Sequence, residues 1–213
     1  MKNLKNLFVL IIGVIFISAC NKDAVDKKSS DKLNEKKDAI SEQKSTENKK
    51  VSESKSDMNL YKIEKVDKSS GKKVAPNLIW SENGKEMSLK DMKGKVVLVN
   101  LWATWCGPCI KEMPDLSTIS QELKDKDFRM LGVNIFQQKG SKTVEEFLST
   151  NPVSYTILDG NQEVVDALGE ADGSPIEAVP TTFLIDKNGK IVETIIGGRN
   201  KETFLKSINK YLN

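Results

Sequence analysis

The chain has 213 residues, of which 30% are charged and only 6% aromatic; its formal net charge is +3 and it contains no histidine. That length suits one ordinary domain plus extra segments, and the missing histidine excludes Cys–His and Ser–His nucleophiles and every His-containing zinc or copper site. Residues 21–70 hold 13 Lys against 11 Asp and Glu, and residues 71–213 hold 18 basic against 19 acidic side chains, so no segment points to nucleic acid.

Lys2 and Lys5 give a positive start, an apolar run covers Leu7 to Ile17, and the run closes on Ile17-Ser18-Ala19-Cys20 before the chain turns polar. This is the layout of a secretory signal peptide over residues 1–19, too short for a comfortable membrane-spanning helix. The four closing residues resemble the lipobox of bacterial lipoproteins. That resemblance implies cleavage before Cys20, lipidation of its sulfur and attachment to a membrane through the lipid. The plainer alternative is an ordinary signal peptide, or an uncleaved anchor, with Cys20 there by chance. A lipidated Cys20 leaves two thiols, three residues apart, so any disulfide within one mature chain joins them.

From Asn21 to about Ser70 the chain is Lys, Ser, Asp, Glu and Asn with few apolar residues. Such a stretch cannot bury enough surface to offset chain entropy, so residues 20–71 are expected to be the lipid-bearing Cys20 and a disordered, charged tether that supplies reach. Within it, residues 32–40 are compatible with transient helix, and Tyr61 and Ile63 could begin a strand that docks on the domain. The folded domain is placed at residues 72–213.

APNLIW (75–80) reads as a short strand, followed by the Asn83-Gly84 signal of a tight hairpin. Residues 89–95 read as a short turn or helix. KVVLVNLWA (95–103) is a continuous Val-rich apolar run, the look of a strand buried on both faces. In 104–125, Ile110, Met113, Leu116, Ile119 and Leu123 recur at helical spacing, with Pro114 inside as an expected kink. FRMLGVNIF (128–136) is a second buried strand, so the core opens as a strand–helix–strand parallel unit. A helix over 142–151 with Thr143 as N-cap, a strand over 154–159 and a helix over 161–169 ending at Gly169 follow. TTFLID (181–186) and KIVETIIG (190–197) form a hairpin around Asn188-Gly189. The last element, 200–212, is an amphipathic helix presenting Phe204, Leu205, Ile208 and Leu212. Phe136, Phe147 and Phe183 read as core. The sum is one α/β domain of about 140 residues, large enough for its own core.

Trp105-Cys106-Gly107-Pro108-Cys109 sits where a buried strand meets a helix, and thiol exchange needs that place. The attacking group must be a thiolate, and Cys106 faces the unpaired N–H groups and positive dipole end of a helix N-terminus, which lower a thiol's pKa. Cys109, one turn on, is near enough to act as the second thiol. Gly107-Pro108 sets a tight turn without bulk. A bare C-x-x-C is also half of a zinc site, or an inert structural disulfide. Zinc needs about four ligands, and the chain offers neither His nor a second Cys pair, so no metal is expected.

WATWCGPC (102–109) resembles the active-site motif of the thioredoxin superfamily, and residues 96–114 resemble its extracytoplasmic TlpA/ResA-type branch more closely. The resemblance covers roughly residues 73–213. It implies a thioredoxin fold, a central mixed sheet flanked by helices, with an N-terminal β extension and a central helix–strand insertion that the elements at 142–169 match. It implies that Cys106 is the nucleophile and Cys109 the resolving thiol, that Pro114 is the helix kink, and that Val179-Pro180 forms the cis-proline loop whose preceding backbone pairs with an extended substrate. The alternative for Pro180 is an ordinary trans loop proline. Thioredoxins carry a buried Asp where this chain has Asn100. Glu112, three residues after Cys109 on the same helical face, resembles the active-site Glu of the ResA-type branch and is expected to exchange a proton with Cys109; the alternative is a solvated surface Glu. Trp105 is expected to form a flat apolar surface beside Cys106, with Gly107 and Pro108, for substrate docking. Trp102 is expected in the core. Arg199 and Gly197-Gly198 could border the docking groove.

The leading expectation is therefore a membrane-anchored disulfide reductase outside the cytoplasm, on the outer face of the cytoplasmic membrane, acting as a monomer. There is no Gly-rich dinucleotide loop and no flavin motif, so no cofactor is expected and electrons must come from a partner. By resemblance that partner is an integral-membrane thiol carrier of the CcdA/DsbD type. The clients it implies are oxidised apocytochrome c, a methionine sulfoxide reductase, or other secreted proteins. Two other classes stay open. A thiol peroxidase on this fold has Thr three residues before its reactive Cys, where this chain has Ala103, with Thr104 one position later. A tethered binding or copper-delivery module generally uses a His, which is missing. For the lipid, mass spectrometry of the mature N-terminus is the check: a lipid-modified Cys20 as first residue is expected, and cleavage elsewhere or a free thiol at Cys20 removes the anchor.

Overall fold

The computed structural model describes residues 58–212. The expected signal peptide, Cys20 and the tether up to residue 57 lie outside the described residues. Among the described residues, eight strands form one sheet in the order β3-β2-β1-β6-β5-β4-β7-β8. They are β1 (Leu60–Asp67), β2 (Asn77–Glu82), β3 (Lys85–Ser88), β4 (Val96–Trp102), β5 (Phe128–Asn134), β6 (Thr156–Asp159), β7 (Thr181–Ile185) and β8 (Ile191–Ile196). The helices are α1 (Gly107–Glu122), α2 (Val144–Thr150), α3 (Gln162–Asp172) and α4 (Lys201–Leu212), with a short 3-10 turn at Lys90–Met92. Strands β1, β6, β5 and β4 run parallel to their neighbours, while the β1–β2–β3 and β4–β7–β8 edges are antiparallel. This is the mixed α/β, thioredoxin-like sheet with its N-terminal β extension.

The Val-rich run becomes β4, and all seven of its residues are buried. Alternate side chains point to opposite faces of a strand. Val96, Leu98 and Trp102 accordingly join the core under α1, α2 and α4, and Val97, Val99 and Leu101 join the core under α3. Placing β4 between β5 and β7 thus puts its C-terminal end, and whatever follows it, at the centre of one edge of the sheet.

Local sequence explains most boundaries. Asn83 and Gly84 both have positive φ, as a two-residue hairpin turn requires. Thr143 and Glu146 close a reciprocal capping box at the start of α2. Several boundaries differ from the sequence expectation by two or three residues, and two of them have a clear local cause. Helix α3 does not stop at Gly169; it runs to Asp172 and ends on Gly173 at φ 86. Gly169 serves the cap from inside, its carbonyl accepting the N–H groups of Gly173 and Ser174 at 2.9 and 3.1 Å. Phe136 is only half buried, because β5 ends at Asn134 and Phe136 turns out of the strand with φ 54.

The larger correction concerns the tether. Its expected end at residue 71, with the domain beginning at 72, does not hold for the last part, because Leu60–Asp67 is the strand that Tyr61 and Ile63 suggested, and it lies inside the sheet, paired on one side with β2 and on the other with β6. Its Leu60, Ile63 and Val66 are buried. Arg129 of β5 fastens the extension from outside: Nη2 donates at 2.9 Å to both carboxylate oxygens of Glu82 and at 2.7 Å to Thr156 Oγ1. Among the described residues no helix is long and apolar enough to cross a membrane. A chain begun at Lys72 exposes the pairing edges of β2 and β6. It is expected to be insoluble or to unfold at markedly lower urea than a chain begun at Met58, and equal midpoints would make β1 dispensable.

Candidate active site

Strand β4 delivers the chain to a tight bend, Ala103–Trp105, from which α1 begins. Cys106 is the N-cap residue of this 16-residue helix, in an extended conformation, and Pro108 occupies its first turn. The Cys106 sulfur accepts the N–H of Cys109 at 3.2 Å. The two sulfurs are joined as a disulfide with Cα atoms 5.3 Å apart. Cys109 is fully buried and Cys106 nearly so, while Trp105, Gly107 and Pro108 around them are exposed. An incoming thiol therefore meets the sulfur of Cys106 at the rim, with Cys109 below it. A thiolate at Cys106 would accept the Cys109 N–H at the positive end of the helix dipole.

Glu112, one turn after Cys109, is 3% exposed, so it is not a solvated surface residue. Its Oε1 accepts Asn100 Nδ2 at 2.8 Å, and its Oε2 accepts the main-chain N–H of Arg199 at 3.1 Å. Asn100 Nδ2 also donates to Thr182 Oγ1 at 2.9 Å. Burial pushes the Glu112 carboxyl above the usual carboxylate range, and the hydrogen bonds from Arg199 and Asn100 only partly oppose it. Tyr155, wholly buried, is pushed upward too, by burial first and by the Glu112 charge second. Its ring lies across Gly132, where an added Cβ would come within 2.9 Å of Tyr155 Cε2. Gly132 pairs directly with Asn100, so a glycine in β5 makes room beside the carboxylate.

The third wall is the loop before β7. The Val179–Pro180 peptide is cis. Thr181 pairs with Leu101 near the end of β4, which brings the loop to the edge of the sheet that carries the cysteines. The Pro180 carbonyl accepts the Gly197 N–H at 2.8 Å, and the neighbouring Gly198 lies against Pro108 and Glu112. Trp105 is 41% exposed, but its indole N–H is fixed on the Phe136 carbonyl at 2.7 Å, so it presents a held, flat apolar surface. Trp102 is fully buried with its ring centroid 5.3 Å from that of Phe147.

The fold thus brings together Trp105, Cys106, Gly107, Pro108, Cys109 and Glu112 on one short segment with Val179 and Pro180 from 70 residues on; Cys20 lies outside the described residues. Sequence reasoning missed Thr182 and the Arg199 N–H as partners of the Asn100–Glu112 pair. A backbone donor leaves no mark in a sequence, and a Thr in a buried strand reads as ordinary β propensity. Among the described residues no group of three or more His, Cys, Asp or Glu is placed to hold a metal ion.

A C-x-x-C disulfide capping a helix at the end of a buried central strand, on a thioredoxin-like sheet, defines a thiol–disulfide oxidoreductase. Residues 69–212 match the Redoxin family, and the chain belongs to it. It is similar to the thiol–disulfide oxidoreductase ResA of Bacillus thuringiensis, at 38% identity over 135 residues, 61% of this chain and 72% of that protein. It is similar to ResA of Geobacillus thermodenitrificans at 37% over 132 residues, 61% and 71% of the two chains. The crystal structure of a thiol:disulfide interchange protein of the thioredoxin family from Chlorobium tepidum superimposes with a TM-score of 0.57 at 29% identity, over 68% of this chain and 99% of that one. The protein is a ResA-like enzyme whose redox pair is Cys106–Cys109.

Because the native state raises the proton affinity of Glu112, it holds that proton more tightly than the unfolded chain does. The stability this provides is complete below the ordinary carboxylate pKa and is lost as pH rises through the raised native value. Glu112→Gln has no such proton to lose. Its unfolding midpoint in urea is expected to fall less between acid and neutral pH than the parent's, and parallel pH profiles would contradict this.

Proposed function

We propose that this enzyme is a membrane-anchored reductase of disulfides in secreted proteins, working on the outer face of the cytoplasmic membrane through a lipid on Cys20. The observation that carries the reductase reading is the stacking of functions along α1: Cys106 at the helix mouth, Cys109 sealed beneath it and the buried Glu112 one turn further in. In the reduced enzyme the Cys106 thiolate attacks one sulfur of the client disulfide. The other client sulfur leaves as a thiolate and takes up a proton. Cys109 then gives its proton to Glu112 and attacks Cys106, releasing the second client thiol and closing the Cys106–Cys109 disulfide. Two electrons have passed from enzyme to client.

The raised affinity of Glu112 suits it to hold that proton near neutral pH. The extended client segment lies along Val179–Pro180 and rests on Trp105, Gly107 and Pro108, a small β-augmentation beside the Cys106 sulfur. The disulfide is reopened by an integral-membrane thiol carrier of the CcdA/DsbD type. Oxidised apocytochrome c, in cytochrome c biogenesis, and a methionine sulfoxide reductase, in an antioxidant role, are the client types that fit a reductant in this place. The relatives named ResA support the enzyme class.

The pair's reduction potential tests the direction: a value near thioredoxin's roughly −270 mV is expected, and one near DsbA's roughly −120 mV would make the enzyme an oxidant. Cys109→Ala is expected to accumulate mixed disulfides through Cys106, identifiable by mass spectrometry, while Cys106→Ser with Cys109→Ser loses all insulin reduction. In Glu112→Gln the rate of exchange plotted against pH is expected to lose the inflection that Glu112 contributes; an unchanged profile removes Glu112 from the reaction.

A further inference from the structure

The connection from β8 to α4 has an arrangement that disulfide exchange alone does not require. Gly197, at φ 85, and Gly198 adjoin in it, and glycine pairs leave a backbone free to wander. Yet this loop is held fast by one exposed side chain. Arg199 Nη1 donates to the carbonyls of Gly197 and Gly198 at 3.1 and 2.9 Å, and Nη2 to that of Ile196 at 3.1 Å. The N–H of the same residue reaches Glu112 Oε2 at 3.1 Å. Two residues on, the Lys201 N–H donates to Asp115 Oδ2 at 2.9 Å. Glu112 and Asp115, one turn apart on α1, therefore receive two amides, spaced by one residue, of a loop whose other end is closed by the guanidinium.

We infer that Arg199 is a positioning residue for the exchange reaction: its guanidinium staples the glycine loop so that its own N–H stays on the Glu112 carboxylate. This rests on the proposed proton exchange between Glu112 and Cys109. An N–H aimed at a carboxylate favours its ionised form, and so does a nearby cation. Both act against the burial that raises Glu112. The other groups facing Glu112 do not replace them. Asn100 of β4 and Thr182 of β7 are uncharged, Tyr155 ahead of β6 holds its proton, Asp115 on the same helix opposes ionisation, Lys111 lines the outer groove, and Cys106 and Cys109 are the reacting pair. Removing the guanidinium takes away the cation and frees the loop, so Glu112 binds its proton more tightly.

The test has two independent readouts in Arg199→Ala, Arg199→Lys, Glu112→Gln and the parent. The first is the carboxyl carbon shift of Glu112, followed against pH by NMR in the oxidised protein, where no exchange takes place. The second is the exchange rate against pH. In Arg199→Ala both midpoints are expected at higher pH than in the parent. Arg199→Lys keeps a cation but not the three-carbonyl fork, and is expected to move both in the same direction by less; it carries the test should the Ala variant not fold. A uniform rate loss with the Glu112 titration unmoved would mean a purely structural role and overturn the inference. A shifted NMR titration with an exchange profile that ignores both Arg199 and Glu112 would leave the staple standing but overturn its part in the reaction, along with the proton role of Glu112.

Discussion

The carboxylate of Glu112 is the contact on which the arrangement turns. It is buried, and two N–H donors from elements far apart in sequence hold it, Asn100 of β4 and Arg199 of the β8–α4 loop. A buried carboxylate without such partners would be strongly destabilising. With them it ties the helix carrying both cysteines to the central strand and to the loop that touches Pro108 and Pro180. The same bonds that make the charge tolerable also fix the distance between the disulfide and its surroundings.

That contact is possible because β4 is buried on both faces. Its alternate residues feed two separate cores, one under α1, α2 and α4 and the other under α3. Asn100 is the polar member of the α1-facing row, and it is placed opposite Gly132 on one side and Thr182 on the other. Gly132 leaves the space that the Tyr155 ring fills, and Thr182 accepts the second amide hydrogen of Asn100. A polar side chain inside an apolar strand is costly where its groups lack partners; the amide hydrogens of Asn100 reach Glu112 and Thr182, while its Oδ1 has no hydrogen-bond partner.

Legibility in the sequence followed the range of the interactions. The helix of the cysteines showed in the spacing of Met113, Leu116 and Ile119, and β4 in its unbroken apolar run, because burial pattern repeats with backbone geometry. Strand β1 showed poorly. Leu60, Ile63 and Val66 are spaced by three, not two, and the structure gives the reason: a register shift between Ile63 and Lys65 re-aims the strand, so Ile63 and Val66 enter the same core. Phe136 misled for a similar reason, since its apolar side chain continued a strand that its positive φ ends.

The sequence by itself determined the chemistry: two thiols at C-x-x-C spacing on a helix start, no histidine to support another nucleophile, and a Glu on the helical face of Cys109. These depend on neighbours within a few residues, where covalent spacing and helix geometry leave little choice. Only the tertiary structure decided how that chemistry is tuned: that Glu112 is buried, that Arg199 reaches it by its backbone from 87 residues away, and that the strand around Tyr61 and Ile63 lies inside the sheet between β2 and β6. Those outcomes depend on which surfaces are covered after folding, and burial is a property of the whole packed molecule.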